Sequence, residues 1–173
     1  MSKEAPAAAG TTYEFKTQSG ADTIEVGRKL AHLLEPPQLL LLRGELGTGK
    51  TTLVKGIAEA LDAAEADEVT SPTFTLLHEY FGTRDGKAVK LYHLDVYRLE
   101  GERQLETLGL DDLLTPDALI FVEWGDKFKS IRKRATGEIV ITSTGGDARK
   151  IVVTLKDEST ATGPGRTVPP ENK

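Results

Sequence analysis

The chain has 173 residues, with 27 acidic against 22 basic side chains for a net charge of −5, and it contains no cysteine. That length suits one domain with a substantial core, the acidic balance without a long basic run argues against unaided gripping of nucleic acid, and the lack of cysteine excludes disulfides, thiolate metal sites and a cysteine nucleophile. With no signal-type apolar segment and no run long enough to span a bilayer, the sequence reads as a soluble cytoplasmic protein.

Residues 1–11 are rich in Ala, Pro and charge and are expected to form a disordered tail. The folded domain is expected over residues 12–156. Tyr13 to Thr17 alternate as a short strand, and Ser19-Gly20-Ala21-Asp22 resembles a capping box opening a helix with Ile24, Gly27, Ala31 and Leu34 on one face, stopped by Pro36-Pro37. Leu39 to Leu42 is a continuous apolar run, as in a strand covered on both faces at the centre of an α/β sheet. Leu53, Ile57 and Leu61 then mark the buried face of a second helix. After an acidic loop over Asp62 to Asp67, Ser71-Pro72-Thr73-Phe74 leads into a strand reaching about Phe81, and the turn Thr83-Arg84-Asp85-Gly86 pairs it with a return strand over Ala88 to Val96. Short helices fit Glu102 to Leu108 and Asp111 to Leu114, followed by Pro116 and a second buried run, Ala118 to Val122. Strands over Glu138 to Thr142 and Lys150 to Leu155 flank Gly145-Gly146-Asp147 as a terminal hairpin, and residues 157–173 are expected to be a second disordered tail. The fold class is α/β: a mixed sheet with helices on both faces and antiparallel hairpins at its edges.

Between the first buried strand and the second helix lies Gly44-Glu45-Leu46-Gly47-Thr48-Gly49-Lys50-Thr51, which fits G-x-x-x-x-G-K-[ST] at every required position. The glycines allow successive backbone N–H groups to turn toward phosphate oxygens. Lys50 adds a point charge that reaches the β- and γ-phosphates, and the Thr51 hydroxyl is placed to ligate Mg²⁺. The phosphates would sit at the positive end of the following helix. A nucleoside triphosphate is therefore the expected ligand.

Hydrolysis also requires a carboxylate for the metal and a group that positions water. Glu123 closes the apolar run Leu119 to Val122 at a strand's carboxyl end, where open α/β sheets bind ligands; the alternative is a solvated strand-end glutamate. Asp95 shares a strand face with His93 and Tyr97, and either holds a metal-bound or attacking water or caps a turn near Arg98. Arg98 reads as a phosphate or partner contact, or as a surface arginine. Ser71-Pro72-Thr73 offers hydroxyls to a γ-phosphate, or is an ordinary loop. His32, His78 and His93 lack metal-ligand spacing and read as partly buried polar residues. Trp124 is either core packing or an interface anchor.

Gly44 to Thr52, Ser71-Pro-Thr-Phe-Thr75, His93-Leu-Asp-Val-Tyr-Arg-Leu99 and Val122-Glu-Trp-Gly-Asp126 together resemble the TsaE (formerly YjeE) family of small bacterial P-loop ATPases. The resemblance implies an ATP- and Mg²⁺-dependent ATPase that acts with the TsaB and TsaD proteins to form threonylcarbamoyladenosine in tRNAs reading codons that start with A, meeting tRNA only through that complex. It carries Glu45, Leu46, Gly47, Thr48, Gly49, Lys50, Thr51 and Thr52 over as nucleotide binders, joined by Thr73. Thr51 and Glu123 become Mg²⁺ supports, and Asp95 and Glu123 catalytic groups. Asp147-Ala148-Arg149 resembles the family's late turn near the adenine, which makes Arg149 a nucleotide contact. Departures from the family pattern are Glu45 in place of a frequent Asp, Thr48 in place of a frequent Ala, and Gly125-Asp126 after the Trp. Two further readings stand beside the ATPase: a nucleotide-gated binding module without essential hydrolysis, and a small-molecule kinase. A GTPase is disfavoured, because no Asn-Lys-x-Asp segment occurs.

Overall fold

Seven strands form one mixed sheet in the order β1-β7-β6-β2-β5-β4-β3, in a computed structural model that describes residues 10–156 apart from Phe74. The strands are β1 (Gly10–Thr17), β2 (Gln38–Arg43), β3 (Leu77–Arg84), β4 (Lys87–Asp95), β5 (Ala118–Glu123), β6 (Gly137–Gly145) and β7 (Ala148–Lys156). Helices α1 (Gly20–Leu33), α2 (Lys50–Ala60), α3 (Glu102–Leu108), α4 (Leu110–Leu113) and α5 (Lys129–Arg134) join them. Strand β2 runs parallel to both β5 and β6, and β4 runs parallel to β5. Antiparallel pairing is confined to the flanks, where β3 pairs with β4 and the β6–β7 hairpin receives β1.

The continuous apolar runs of β2 and β5 are divided by strand alternation between two cores. Leu40, Leu42, Leu119 and Phe121 pack toward α1 and α2. Leu39, Leu41, Ile120 and Val122 pack toward Leu105, Leu110 and Ile131 of α3, α4 and α5. Helices therefore cover both faces, as expected. None of the helices among the described residues is long and apolar enough to cross a membrane.

Helix α1 is capped at Ser19, whose side chain accepts the Asp22 N–H at 3.1 Å, while Asp22 Oδ2 reaches past the cap to the Gln18 N–H at 2.8 Å. Of the expected face, Gly27, Ala31 and Leu34 are buried, joined by Thr23, Val26 and Leu30, whereas Ile24 is only half-buried. This face meets α2 closely. A Cβ on Gly27 would lie 2.3 Å from the Leu53 carbonyl oxygen, and one on Gly56 would lie 2.0 Å from that of Ile24. The two helices thus touch backbone to backbone at a pair of glycines.

Two strand boundaries and one helix differ from expectation. Strand β1 begins at Gly10, so Thr11 belongs to the sheet and not to a tail: Gly10 pairs with Lys156 and Thr11 with Leu155. Backbone ladder bonds along β7 hold these exposed residues without needing apolar side chains. Strand β3 runs from Leu77 to Arg84, past the expected end near Phe81, and is separated from the Ser71-Pro72-Thr73 segment by Leu76, which is left-handed (φ 76°) and whose N–H closes a loop onto the Pro72 carbonyl at 2.7 Å. Phe74 and the remaining tail assignments lie outside the described residues. Helix α5 was not anticipated; its signal is the spacing of Phe128, Ile131 and Ala135, all buried against the second core.

Candidate active site

Parallel pairing of β4 with β5 puts Asp95 directly beside Glu123, and pairing of β2 with β5 puts Leu42 on the other side of Glu123. The glycine-rich loop leaves β2 one residue later. Loop and carboxylates therefore meet at the carboxyl ends of three central strands, the position where open α/β sheets take ligands. A cleft of about 500 Å³ opens there. Its lining includes Leu46, Gly47, Gly49, Lys50, Thr51 and Thr52 from the loop side, Ser71 and Thr73 from the connection before β3, and Asp95, Tyr97, Glu123 and Trp124 from the strand ends.

The loop is shaped by Gly47 (φ 82°) and Gly49 (φ 111°), conformations that a side chain opposes. Gly49 is the N-cap of α2 and offers no side-chain cap, which leaves the first-turn N–H groups available to an anion. Thr48 closes the loop on itself: its hydroxyl donates to the Glu45 carbonyl at 2.8 Å and its N–H to the same oxygen at 3.1 Å. Arg149 lies behind the loop. Its Nε donates to the Thr48 carbonyl at 2.8 Å, Nη2 to that of Gly47 at 3.3 Å, and Nη1 to those of Gly146 and Ala148 at 2.7 and 2.9 Å.

Lys50 Nζ donates to the Gly44 carbonyl and stands 3.7 Å from Glu123 Oε1. The other Glu123 oxygen, Oε2, is 2.7 Å from Nε2 of His93, which is 0% exposed. An ionised carboxylate only accepts, so the imidazole donates through Nε2–H. Asp95 Oδ1 accepts the Tyr97 N–H at 3.0 Å, so this residue caps its turn and also lines the cleft. Ser71 and Thr73 share a hydroxyl hydrogen bond of 2.7 Å. At the mouth, Trp124 takes a left-handed backbone (φ 66°) and packs against Tyr97 with ring centroids 4.9 Å apart and ring planes tilted by 52°. Lys127 Nζ lies 5.3 Å from the Tyr97 ring centroid.

The expected site residues divide into two groups. Leu46, Gly47, Gly49, Lys50, Thr51, Thr52, Thr73, Asp95 and Glu123 converge on the cleft. Glu45 acts through its backbone carbonyl, the Thr48 hydroxyl is turned into the loop, and Arg149 holds loop carbonyls from outside the cleft lining. His93, expected to be only partly buried, is fully enclosed and paired with Glu123. The alternation from Asp95 back to His93 was visible in the sequence, whereas its partner on β5 was not. Among the described residues no group of three or more metal-ligating side chains forms a cage. The hydroxyl of Thr51 with the carboxylates of Asp95 and Glu123 instead suits a cation that takes few protein oxygens and completes its shell with phosphates and water, as Mg²⁺ does.

Comparison with known proteins points to one family. The family model described as "Threonylcarbamoyl adenosine biosynthesis protein TsaE" matches residues 17–151. The tRNA threonylcarbamoyladenosine biosynthesis protein TsaE of Bacillus subtilis (strain 168) is 38% identical over 141 residues, covering 82% of this chain and 84% of that protein. The protein of the same name from Streptomyces coelicolor is 40% identical over 143 residues, covering 80% and 93% respectively. The crystal structure of Bacillus subtilis YdiB superposes with a TM-score of 0.63 at 30% identity, covering 88% of this chain and 91% of that one. A loop-to-carboxylate cleft of this construction, on a chain matched by the family model across nearly all of its described residues, makes the protein a member of the TsaE family.

Proposed function

We propose that this chain binds Mg-ATP in the cleft, hydrolyses it to ADP and phosphate, and serves with TsaB and TsaD as the ATPase component that forms N6-threonylcarbamoyladenosine in tRNAs reading codons that start with A. The observation that carries the reading is the single cleft lined by Lys50, Thr51, Asp95 and Glu123. The tRNA role draws on the names of the relatives. Its placement in a complex suits a chain whose net charge is −5, since phosphate backbones are gripped by basic surfaces. Such a role belongs in the cytoplasm.

The loop N–H groups and the N-terminus of α2 receive the phosphates. Lys50 exchanges the Gly44 carbonyl for phosphate oxygens. Thr51 and Glu123 would hold Mg²⁺, which would neutralise charge on the phosphate oxygens. Asp95 orients the water, and the paired hydroxyls of Ser71 and Thr73 face the γ-phosphate end. Water adds to the γ-phosphorus as the bond to the ADP oxygen breaks, releasing phosphate.

The decisive measurement is the ATPase rate of the pure protein, alone and with TsaB, TsaD and tRNA, beside nucleotide binding by calorimetry. Lys50→Ala abolishes binding, whereas Asp95→Ala and Glu123→Ala keep much of it and lower turnover roughly a hundredfold or more. Normal turnover in all three variants defeats the assignment. One observation favours a docking module gated by nucleotide without essential turnover: the exposed Tyr97–Trp124 ring pair at the cleft mouth. Repeated rounds of tRNA modification supported by a non-hydrolysable analogue would select that reading.

A further inference from the structure

We propose that His93 is a positioning residue for Glu123: it fixes Oε2 from beneath the cleft, so that Oε1 stays presented to the bound cation instead of closing onto Lys50. The inference rests on the Mg-ATP reading of the cleft and adds a residue that the loop motif does not include.

His93 is 0% exposed, set between Leu91 and Phe121 of the first core, with His78 opposite it on β3 and Asp95 two residues on as the other polar side chains of that face besides Glu123. Placing an imidazole there is costly unless its polar atoms are used. One of them is, at 2.7 Å from Glu123 Oε2, while Nδ1 has no partner. A lone pair on Nδ1 is the cheaper atom to leave without a partner, so the proton sits on Nε2, where the carboxylate receives it.

Lys50 supplies the second half of the argument. Its ammonium stands 3.7 Å from Glu123 Oε1, outside hydrogen-bond range, and donates to the Gly44 carbonyl. Charge-assisted bonds between ammonium and carboxylate are shorter, about 2.7–2.9 Å. A Glu123 held by nothing else would therefore rotate toward Lys50. The His93 bond opposes that rotation, and the closed pair it prevents would occupy the lysine needed for phosphate and the oxygen needed for the cation.

The test compares wild type with His93→Leu and His93→Gln, the latter keeping an amide donor in the place of Nε2–H. Mg²⁺ is titrated into the ADP complex by calorimetry, and kcat and KM for ATP are measured alongside nucleotide affinity in EDTA. His93→Leu is expected to weaken Mg²⁺ binding and lower kcat by about 10–100-fold, the usual effect of removing a partner that orients a metal ligand, with affinity in EDTA close to wild type. His93→Gln should recover part of both losses. In the nucleotide-free wild type, long-range proton–nitrogen correlations of labelled histidine should show the Nε2–H form, and Glu123→Ala should shift that signal. The proposal is overturned by an Nδ1–H form, by unchanged Mg²⁺ dependence in His93→Leu, or by a glutamine variant no better than leucine. The imidazole signal decides the His93 assignment even if the leucine variant fails to fold. It is also independent of turnover, so a wild-type chain that bound no nucleotide would instead count against the ATPase reading.

Discussion

The two walls of the cleft are built by different means. The loop wall is continuous in sequence from Gly44 to Thr51 and presents backbone N–H groups, one lysine and a hydroxyl, behind which α2 and α1 meet through Gly56 and Gly27. The strand-end wall is assembled from residues far apart in the chain, Asp95 and Glu123, brought side by side only by parallel register. It is backed by α3, α4 and α5, helices of 7, 4 and 6 residues. Exposed polar contacts clasp those helices together: Ser130 Oγ donates to Glu102 at 2.6 Å, and Arg134 Nε to Asp111 at 2.9 Å. One wall needs local backbone conformation and a rigid platform, and the other needs correct strand pairing and a buried partner for its carboxylate.

The sharpest way to break the first wall is through its platform. In Gly56→Val the new side chain meets the Ile24 carbonyl, 2.0 Å from its Cβ, with no flexible group to yield. Overpacking of this kind costs on the order of 3 kcal/mol. Denaturant unfolding should show that loss, and nucleotide binding should fall with it.

A finer cut separates shape from contact. Arg149 spends its guanidinium on the carbonyls of Gly47, Thr48, Gly146 and Ala148, so Arg149→Gln is expected to lower nucleotide affinity about tenfold by loosening the loop, hydrogen bonds to a charged group being worth about 1.5–3 kcal/mol. The loss should be equal for triphosphates of different bases when read by competition binding. A loss confined to ATP would place Arg149 at the adenine instead.

The smallest expected effect lies behind the strand-end wall. Bonding to the Ser130 hydroxyl holds the Glu102 carboxyl below its ordinary value of 4.5. A carboxyl lowered in the folded state contributes stability above its unfolded value and loses that contribution as pH falls through the folded one. Glu102→Gln should therefore lower Tm slightly at neutral pH, and the difference from wild type should vanish in acid. A difference that persists in acid would mean that shape, and not charge, makes the clasp.

The same contrast explains what could be read before the structure was in hand. The loop wall was legible because every requirement falls within eight consecutive residues flanked by an apolar run and a helical repeat. Buried strands were legible for a similar reason, since Leu39 to Leu42 and Ala118 to Val122 are apolar without interruption. Asp95 and Glu123 were visible as acids closing strands, but the His93–Glu123 pair depends on β4 lying next to β5, a neighbour relation that no local pattern records. The buried face of α1 follows its own helical period, while its close approach to α2 through Gly27 and Gly56 is a contact that no local pattern records. Strand β1 was read too short because its first residues are held by ladder bonds alone.

Trp124 is the chain's one tryptophan, and it follows Glu123 directly, half-exposed and leaning on Tyr97. Its emission therefore comes from a single place, the rim where the strand-end wall meets solvent. Indole fluorescence responds to the polarity and ring contacts around it, so the chain carries a native optical reporter of its own cleft. Filling the cleft, or covering its mouth with another protein, can be followed in real time without attaching a dye.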